Sequence, residues 1–278
     1  MIALAPEIPP STDELVSVVS ASRLNCFHSC RLKFFFRYVM ELTKPASAAL
    51  FVGKAVHAAL QKWSSARWKG VAHDAESLKP AFLEEWVNAQ IEEPVEWEDA
   101  NEEEQQAKAW GLVEMYLAES PIPAAEKPEA VEVRVEADLG YRGLPTLVGI
   151  IDLVRPGGVI VDFKTSATTP MLNQVLHRNE VQLTAYGLLY REATGQQETG
   201  MEVHHLIKTK TPKLVVSRFG SVSESQETKL LRTIESYVEG VQREDYIPSP
   251  GLHCAACDYF HECSAWAGNS AIEERRAA

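Results

Sequence analysis

The stretch Thr146–Ser166, TLVGIIDLVRPGGVIVDFKTS, decides how the chain reads. Two apolar, β-branched runs, Leu147 to Val154 and Val159 to Phe163, flank the turn-forming Arg155-Pro156-Gly157-Gly158 and predict a β-hairpin. Asp152, Asp162 and Lys164 are the few polar residues that interrupt these runs. Side chains alternate along a strand, so Asp162 and Lys164 share a face while Phe163 points the other way. Asp152 joins that face only if the loop holds an odd number of residues, which a glycine bulge at Gly157 or Gly158 supplies. Two carboxylates and an ammonium then converge on an otherwise apolar sheet. Such burial is costly unless the charges are paired or hold a metal, and carboxylate oxygens suit a hard cation such as Mg²⁺ or Mn²⁺. An ordinary surface Asp–Lys pair is the plain alternative, and the placement of Asp152 just before the tight turn counts against it.

At 278 residues, with 45% hydrophobic and 24% charged residues, the chain has the makings of a globular protein with a substantial core. No apolar run approaches the ~20 residues of a membrane span, and the N-terminus lacks the basic region and apolar core of a signal peptide. The cytoplasm is the default location, with no membrane partner. A formal net charge of −12 argues against a protein that coats nucleic acid through a general positive field. A local basic groove remains compatible with it, because local field decides where phosphate docks.

Outward from the hairpin, residues 1–18 read as a loose acidic lead-in with Pro6, Pro9 and Pro10. Ser20 or Ser22 is placed to cap a helix whose apolar face runs through Leu24, Phe27, Leu32, Phe34, Phe35 and Tyr38, with a break near Ser29-Cys30. Arg31, Lys33 and Arg37 lie close together, either to meet phosphate or as a solvated face. Residues 51–69 read as a helix with Val56, Ala59, Leu60 and Trp63 at helical spacing. His57 sits on or beside that face, where a satisfied core histidine is the commoner outcome than a ligand. Amphipathic helices follow to about residue 120, with the acidic run IEEPVEWEDANEEE as a solvated turn and helix start. A strand from Ala130 to Leu139 alternates Val131, Val133 and Val135 with Glu132, Arg134 and Glu136; Glu132 or Glu136 is a candidate contributor to the site, an exposed strand face being the commoner outcome. After the hairpin, a long helix carries Gln182 and Tyr186 four residues apart on one face, closed by Gly195. Strands at Glu202 to Thr209 and Lys213 to Phe219 and a helix at Glu224 to Gln242 complete this part.

The chain has 5 cysteines, and an odd count without a secretory signal favours metal or cluster ligation over a disulfide framework. Cys254, Cys257 and Cys263 form C-x2-C-x5-C, and either Cys26 or Cys30 would complete a four-thiolate site joining the two ends of the chain. Such a site fits Zn²⁺ or an iron–sulfur cluster, and buried structural thiols are the plain alternative.

Taken in order, these motifs resemble the RecB-like nucleases of the PD-(D/E)XK superfamily, and more closely an iron–sulfur exonuclease branch. That branch includes the nuclease domain of AddB and the four-cysteine CRISPR-associated nucleases. The resemblance spans nearly the whole chain; each motif alone is weak and the ordered set is specific. G-K-A-V-H matches the family's metal-binding histidine at His57; G-I-I-D gives the first acidic ligand, Asp152; V-D-F-K-T gives the second, Asp162, and the catalytic lysine, Lys164. Q-L-T-A-Y matches the following helix motif, at Gln182 and Tyr186. The resemblance implies 4Fe–4S ligands at Cys30, Cys254, Cys257 and Cys263, Cys30 being preferred because C-R-x-K-F-F-F resembles the sequence after the family's ligand cysteine. It implies Mg²⁺ or Mn²⁺ held by His57, Asp152, Asp162 and the Phe163 carbonyl.

The expected fold is α/β: a restriction-endonuclease-like central mixed sheet flanked by helices, in a single domain over 1–278. A helical insertion is expected over about 61–128, and an iron–sulfur module formed by Cys30 and about 250–266. The insertion is longer than in compact CRISPR-associated members. The expected activity is metal-dependent exonuclease cleavage of DNA, with single strands preferred, in recombination, repair or mobile-element processes. A CRISPR-associated prespacer-trimming endonuclease with integrase partners, a non-catalytic DNA-binding scaffold and a zinc-bound interaction module are the alternatives. No helicase motif is present, so any motor would be a separate chain.

Overall fold

The computed structural model describes residues 11–71, 74–97 and 100–266. Most of the proline-bearing lead-in, with Pro6, Pro9 and Pro10, lies outside them, as do Glu98 and Asp99 of the acidic run. The chain divides into two compact units: 1–44, 138–147 and 231–278 form one, and 45–137 with 148–230 form the other.

The larger unit holds the hairpin. Its strands are β1 (Ala130–Ala137), β2 (Thr146–Arg155, within this unit from Val148 on), β3 (Val159–Ser166), β4 (Gly200–Ile207) and β5 (Lys213–Phe219). The order runs β2-β3-β4-β5, with β1 also paired to β2. β2 and β3 are antiparallel, β3 and β4 parallel, β4 and β5 antiparallel, so the sheet is mixed as expected. Arg155 pairs with Val159, which leaves three residues in the loop, and the next steps pair Val154 with Ile160 and Leu153 with Val161. One further step sets Asp152 across from Asp162. The odd loop is made possible by Gly157 and Gly158, at φ +82° and +74°, in the left-handed region that side chains resist.

Four long helices cover this sheet: α1 (Ala48–Trp68), α2 (Ala75–Glu92), α3 (Glu102–Glu119) and α4 (Leu172–Thr194). Side-chain oxygens of Ser47, Asp74 and Asn101 cap α1, α2 and α3, and Gly195 ends α4 in the left-handed conformation. Phe51, Val56, Leu60, Trp63, Phe82, Trp86, Trp110 and Tyr116 pack into one core with Leu153, Val161, Phe163 and Leu206 of the sheet. Side chains from residues 61–128 thus form part of the wall that buries one sheet face. The connection β3–α4–β4 returns parallel, as a βαβ unit must.

The smaller unit begins with a capped helix, Thr12–Ser17, inside the region expected to be loose; Ser11 and Glu14 form its capping box. Ser20 caps the next helix, Ala21–Ser29, and the chain breaks at Cys30 before Arg31–Phe34, as the sequence suggests. Phe27 meets Phe34 and Tyr237 edge-on at 5.2 Å each, and the Tyr237 hydroxyl donates to the Leu15 carbonyl at 2.7 Å. Arg31 pairs with Asp245 and Lys33 with Asp258, so two of the three basic residues considered for phosphate have acidic partners of their own.

The expected iron–sulfur module is corrected here. Among the described residues, no group of three or more His, Cys, Asp or Glu side chains could hold a metal ion, so no cysteine-ligated cluster joins the N- and C-terminal regions. Cys30, Cys254, Cys257 and Cys263 do border one cavity of about 50 Å³. Cys30, Cys257 and Cys263 pack there against Leu32, Phe36 and Tyr259 as small apolar groups. Neighbourhood in the fold does not make the sulfurs a ligand set.

Candidate active site

Every residue of the hairpin constellation lies in the larger unit. The three-residue loop sets Asp152 level with Asp162, and alternation brings Lys164 to the same face. α4 then lays Gln182 and Tyr186 over them. Lys164 Nζ stands 3.0 Å from each oxygen of Asp162 and donates to Gln182 Oε1 at 2.8 Å. Gln182 Nε2 donates to Asp162 Oδ1 at 3.0 Å and to the Tyr186 hydroxyl at 2.8 Å. Asp152 Oδ2 accepts the Phe163 N–H at 2.8 Å and lies 3.7 Å from His57 Nδ1. The His57 ring meets the Phe163 ring edge-on at 6.2 Å.

Asp162 is 1% exposed, and this burial is the main force on its carboxyl. Burial, together with the nearby Asp152 charge, pushes Asp162 up to about 6 against the pull of Lys164. Asp152 is raised for the same first reason, opposed by the Phe163 N–H and Lys164. Burial lowers the His57 imidazole below its ordinary 6.5, Lys164 adding to that shift and Asp162 opposing it. Burial raises the Tyr186 phenol, so it stays a neutral hydroxyl. Glu132, across on β1, is also raised, by burial and then by Asp152. A buried carboxyl held at about 6 can exchange protons near neutral pH, and the ammonium beside it presents positive charge to an anion.

The expected Mg²⁺ or Mn²⁺ set is corrected as well. His57, Asp152 and Asp162 come near one another but do not form a metal-holding group, as none does among the described residues. Lys164 and Gln182 donate to Asp162 Oδ1 and the Phe163 N–H holds one oxygen of Asp152, while Asp162 Oδ2 is buried with no hydrogen bond, 3.0 Å from Lys164 Nζ. The arrangement is closed around an ion pair.

Sequence reasoning passed over His205. The β3–β4 register pairs it with Lys164, so it joins the site's face one strand further along. It is 7% exposed, and its Nδ1 is buried without a hydrogen-bond partner. The dipeptide His204-His205 in a strand whose other residues are apolar apart from Glu202 is the signal the sequence holds. His204 faces the opposite way, where its Nε2 is 2.9 Å from Glu202 and its Nδ1 2.8 Å from the Tyr116 hydroxyl.

Residues 18–264 match the family model of the PD-(D/E)XK nuclease superfamily. Among solved structures, the chain is similar to a "Putative exonuclease" from Eubacterium rectale, with a TM-score of 0.60 and 14% identity over 96% of this chain and 93% of that one. It also matches the structure of SSO0001, at a TM-score of 0.44 and 11% identity over 90% and 86% of the two chains, a likeness too weak to build on. No curated protein matches it. Among the described residues, no helix is long and apolar enough to cross a membrane. The family match, covering nearly the whole length and including the hairpin with its Asp152, Asp162 and Lys164, makes this chain a member of the PD-(D/E)XK nuclease superfamily.

Proposed function

We propose that the protein is a RecB-like deoxyribonuclease that hydrolyses phosphodiester bonds from strand ends, preferring single-stranded DNA, in recombination, repair or mobile-element processes. The observation that carries this reading is the closed set Asp162–Lys164–Gln182, with Lys164 Nζ held by both partners within 3.0 Å. A fold kept only as a scaffold has no need to bury Asp162 beside an ammonium, because apolar residues of similar size serve stability as well.

Lys164 is the partly open cation of the set, 32% exposed along its side chain. It receives the scissile phosphate and stabilises the negative charge that grows on the phosphoryl oxygens. Asp162 and Gln182 fix where that ammonium points. Asp152 keeps one oxygen on the Phe163 N–H; its carboxylate takes the proton of the attacking water as the new O–P bond forms and the bond to the leaving oxygen breaks. The leaving oxygen then takes a proton from solvent. Burial raises the Asp152 carboxyl, which makes its carboxylate a stronger base than an ordinary one. His57, kept neutral by burial, borders Asp152 and limits the positions open to the water. The net charge of −12 means that affinity rests on local cations.

The test is degradation of end-labelled single- and double-stranded DNA, with and without divalent salt, by wild type and by Lys164→Ala. Cleavage by wild type that is lost in a folded variant supports the reading. Equal cleavage by both overturns it.

A further inference from the structure

A cavity of about 390 Å³ opens beside Lys164. That volume lies within the roughly 300–1,000 Å³ usual for small-ligand sites. Lys164, Ser166, Thr168, Arg178, Asn179 and His205 contribute its polar lining, and no carboxylate is among the described residues that border it. Arg178 is held in place by a hydrogen bond from its Nη2 to Gln174 Oε1 at 3.0 Å, and Asn179 by one from its Nδ2 to the Val175 carbonyl at 2.8 Å. The 23-residue helix α4 starts at this cavity: Met171, its N-cap, lines the wall and supplies no side-chain cap. An uncapped helix start offers N–H groups and partial positive charge. Independently, His205 borders the same cavity, more than nine-tenths buried, with a ring nitrogen that has no partner. An imidazole in that condition costs free energy unless something completes it.

We infer that this cavity is a nucleotide subsite, seating the nucleotide next to the scissile phosphodiester by its phosphate, with Arg178, His205 and the start of α4 as the phosphate-recognising groups. The inference rests on the proposed nuclease reading and adds to it where the strand lies: along the Lys164 side of the sheet and over the first turns of α4. The phosphate oxygens meet Arg178 from one side and the imidazole from the other. Ser166 and Thr168 bind each other, Thr168 N–H donating to Ser166 Oγ at 3.2 Å and Ser166 Oγ to the Thr168 carbonyl at 2.7 Å, and so hold the loop that forms the cavity rim. His205 is a binding residue here, separate from the proton-moving carboxyls.

The experiment follows ligand binding without turnover, by calorimetry and by NMR of the imidazole protons. Wild type, Arg178→Ala, His205→Leu and His205→Gln are titrated with thymidine 5′-monophosphate, inorganic phosphate and thymidine. Arg178 is on an exposed helix position, so its variant keeps the fold even if His205→Leu does not. The expected result is monophosphate binding that weakens at least tenfold in Arg178→Ala and in the folded His205 variants, with thymidine not binding. In cleavage assays Arg178→Ala raises KM by about the same factor and leaves kcat within about threefold. Equal affinity of wild type and variants for the monophosphate, or no binding to wild type, overturns the subsite. Inorganic phosphate binding as tightly as the monophosphate overturns the nucleotide as occupant. A wild type that binds the monophosphate through Arg178 and His205 yet cuts no DNA sinks the proposed hydrolysis and leaves the binding site standing. A wild type that cuts, beside Arg178→Ala that binds and cuts identically, does the reverse.

Discussion

Gln182 holds both members of the ion pair at once: it accepts from Lys164 at 2.8 Å and donates to Asp162 at 3.0 Å. A carboxamide can do this because it carries one acceptor oxygen and two donor hydrogens, the second of which reaches Tyr186 at 2.8 Å. The lysine is therefore aimed from a helix and tethered to a strand.

Gln182→Leu removes that brace and leaves the charges in place. Misplacement of a reacting group by about 1 Å can cost roughly a hundredfold in rate. The expected outcome is a fall of kcat by about 10- to 100-fold, with KM within about threefold of wild type. Steady-state kinetics on end-labelled DNA decide it; an unchanged kcat would show that Gln182 only packs α4 to the sheet.

Gly158 is needed twice over. Its φ is +74°, and a Cβ there would stand 2.6 Å from the Tyr190 hydroxyl. Gly158→Ala should lower stability by about 2–3 kcal/mol: roughly 1–2 from the left-handed backbone and the rest from the clash. Adding Tyr190→Phe should recover the second part alone. Urea unfolding measures both, and a neutral Gly158→Ala would mean that the three-residue loop does not need glycine at this position.

Acid should loosen the sheet through Glu202. Burial alone would raise this carboxyl, but His204, Arg218 and Arg155 outweigh it and hold it at about 2, below its ordinary 4.5. A depressed carboxyl contributes stability above its unfolded pKa and loses it as pH falls toward the folded one. The loss is expected between pH 4.5 and 2 and is on the order of 2–3 kcal/mol, from a side chain 7% exposed. Glu202→Gln should be less stable than wild type at pH 7 and should flatten that part of the profile. Parallel profiles for the two proteins would remove Glu202 as the cause.

The hairpin was legible because strand alternation and loop parity are local rules. Asp152, Asp162 and Lys164 could be placed on one face from their spacing, and Gln182 and Tyr186 from helical periodicity. His205 could not be placed so, since its nearness to Lys164 depends on a parallel pairing across a 23-residue helix. The cysteines show the opposite limit. C-x2-C-x5-C foretold that three thiols lie close together, and the fold does bring Cys30 to the same cavity. Spacing says nothing of where sulfurs point, and here Cys30, Cys257 and Cys263 pack against Leu32, Phe36 and Tyr259 while Cys254 Sγ accepts the Gly251 N–H. The helix Thr12–Ser17 was hidden by the prolines before it, although its capping box, Ser11 and Glu14, stood in the sequence.

The most direct test of the account compares wild type with Lys164→Ala and Asp162→Asn on 5′- and 3′-labelled single-stranded DNA, with folding checked by thermal melts. The account predicts stepwise shortening from one end by wild type, and at least a thousandfold slower shortening by either folded variant. Undiminished shortening by both variants, in preparations free of contaminating nuclease, would contradict it.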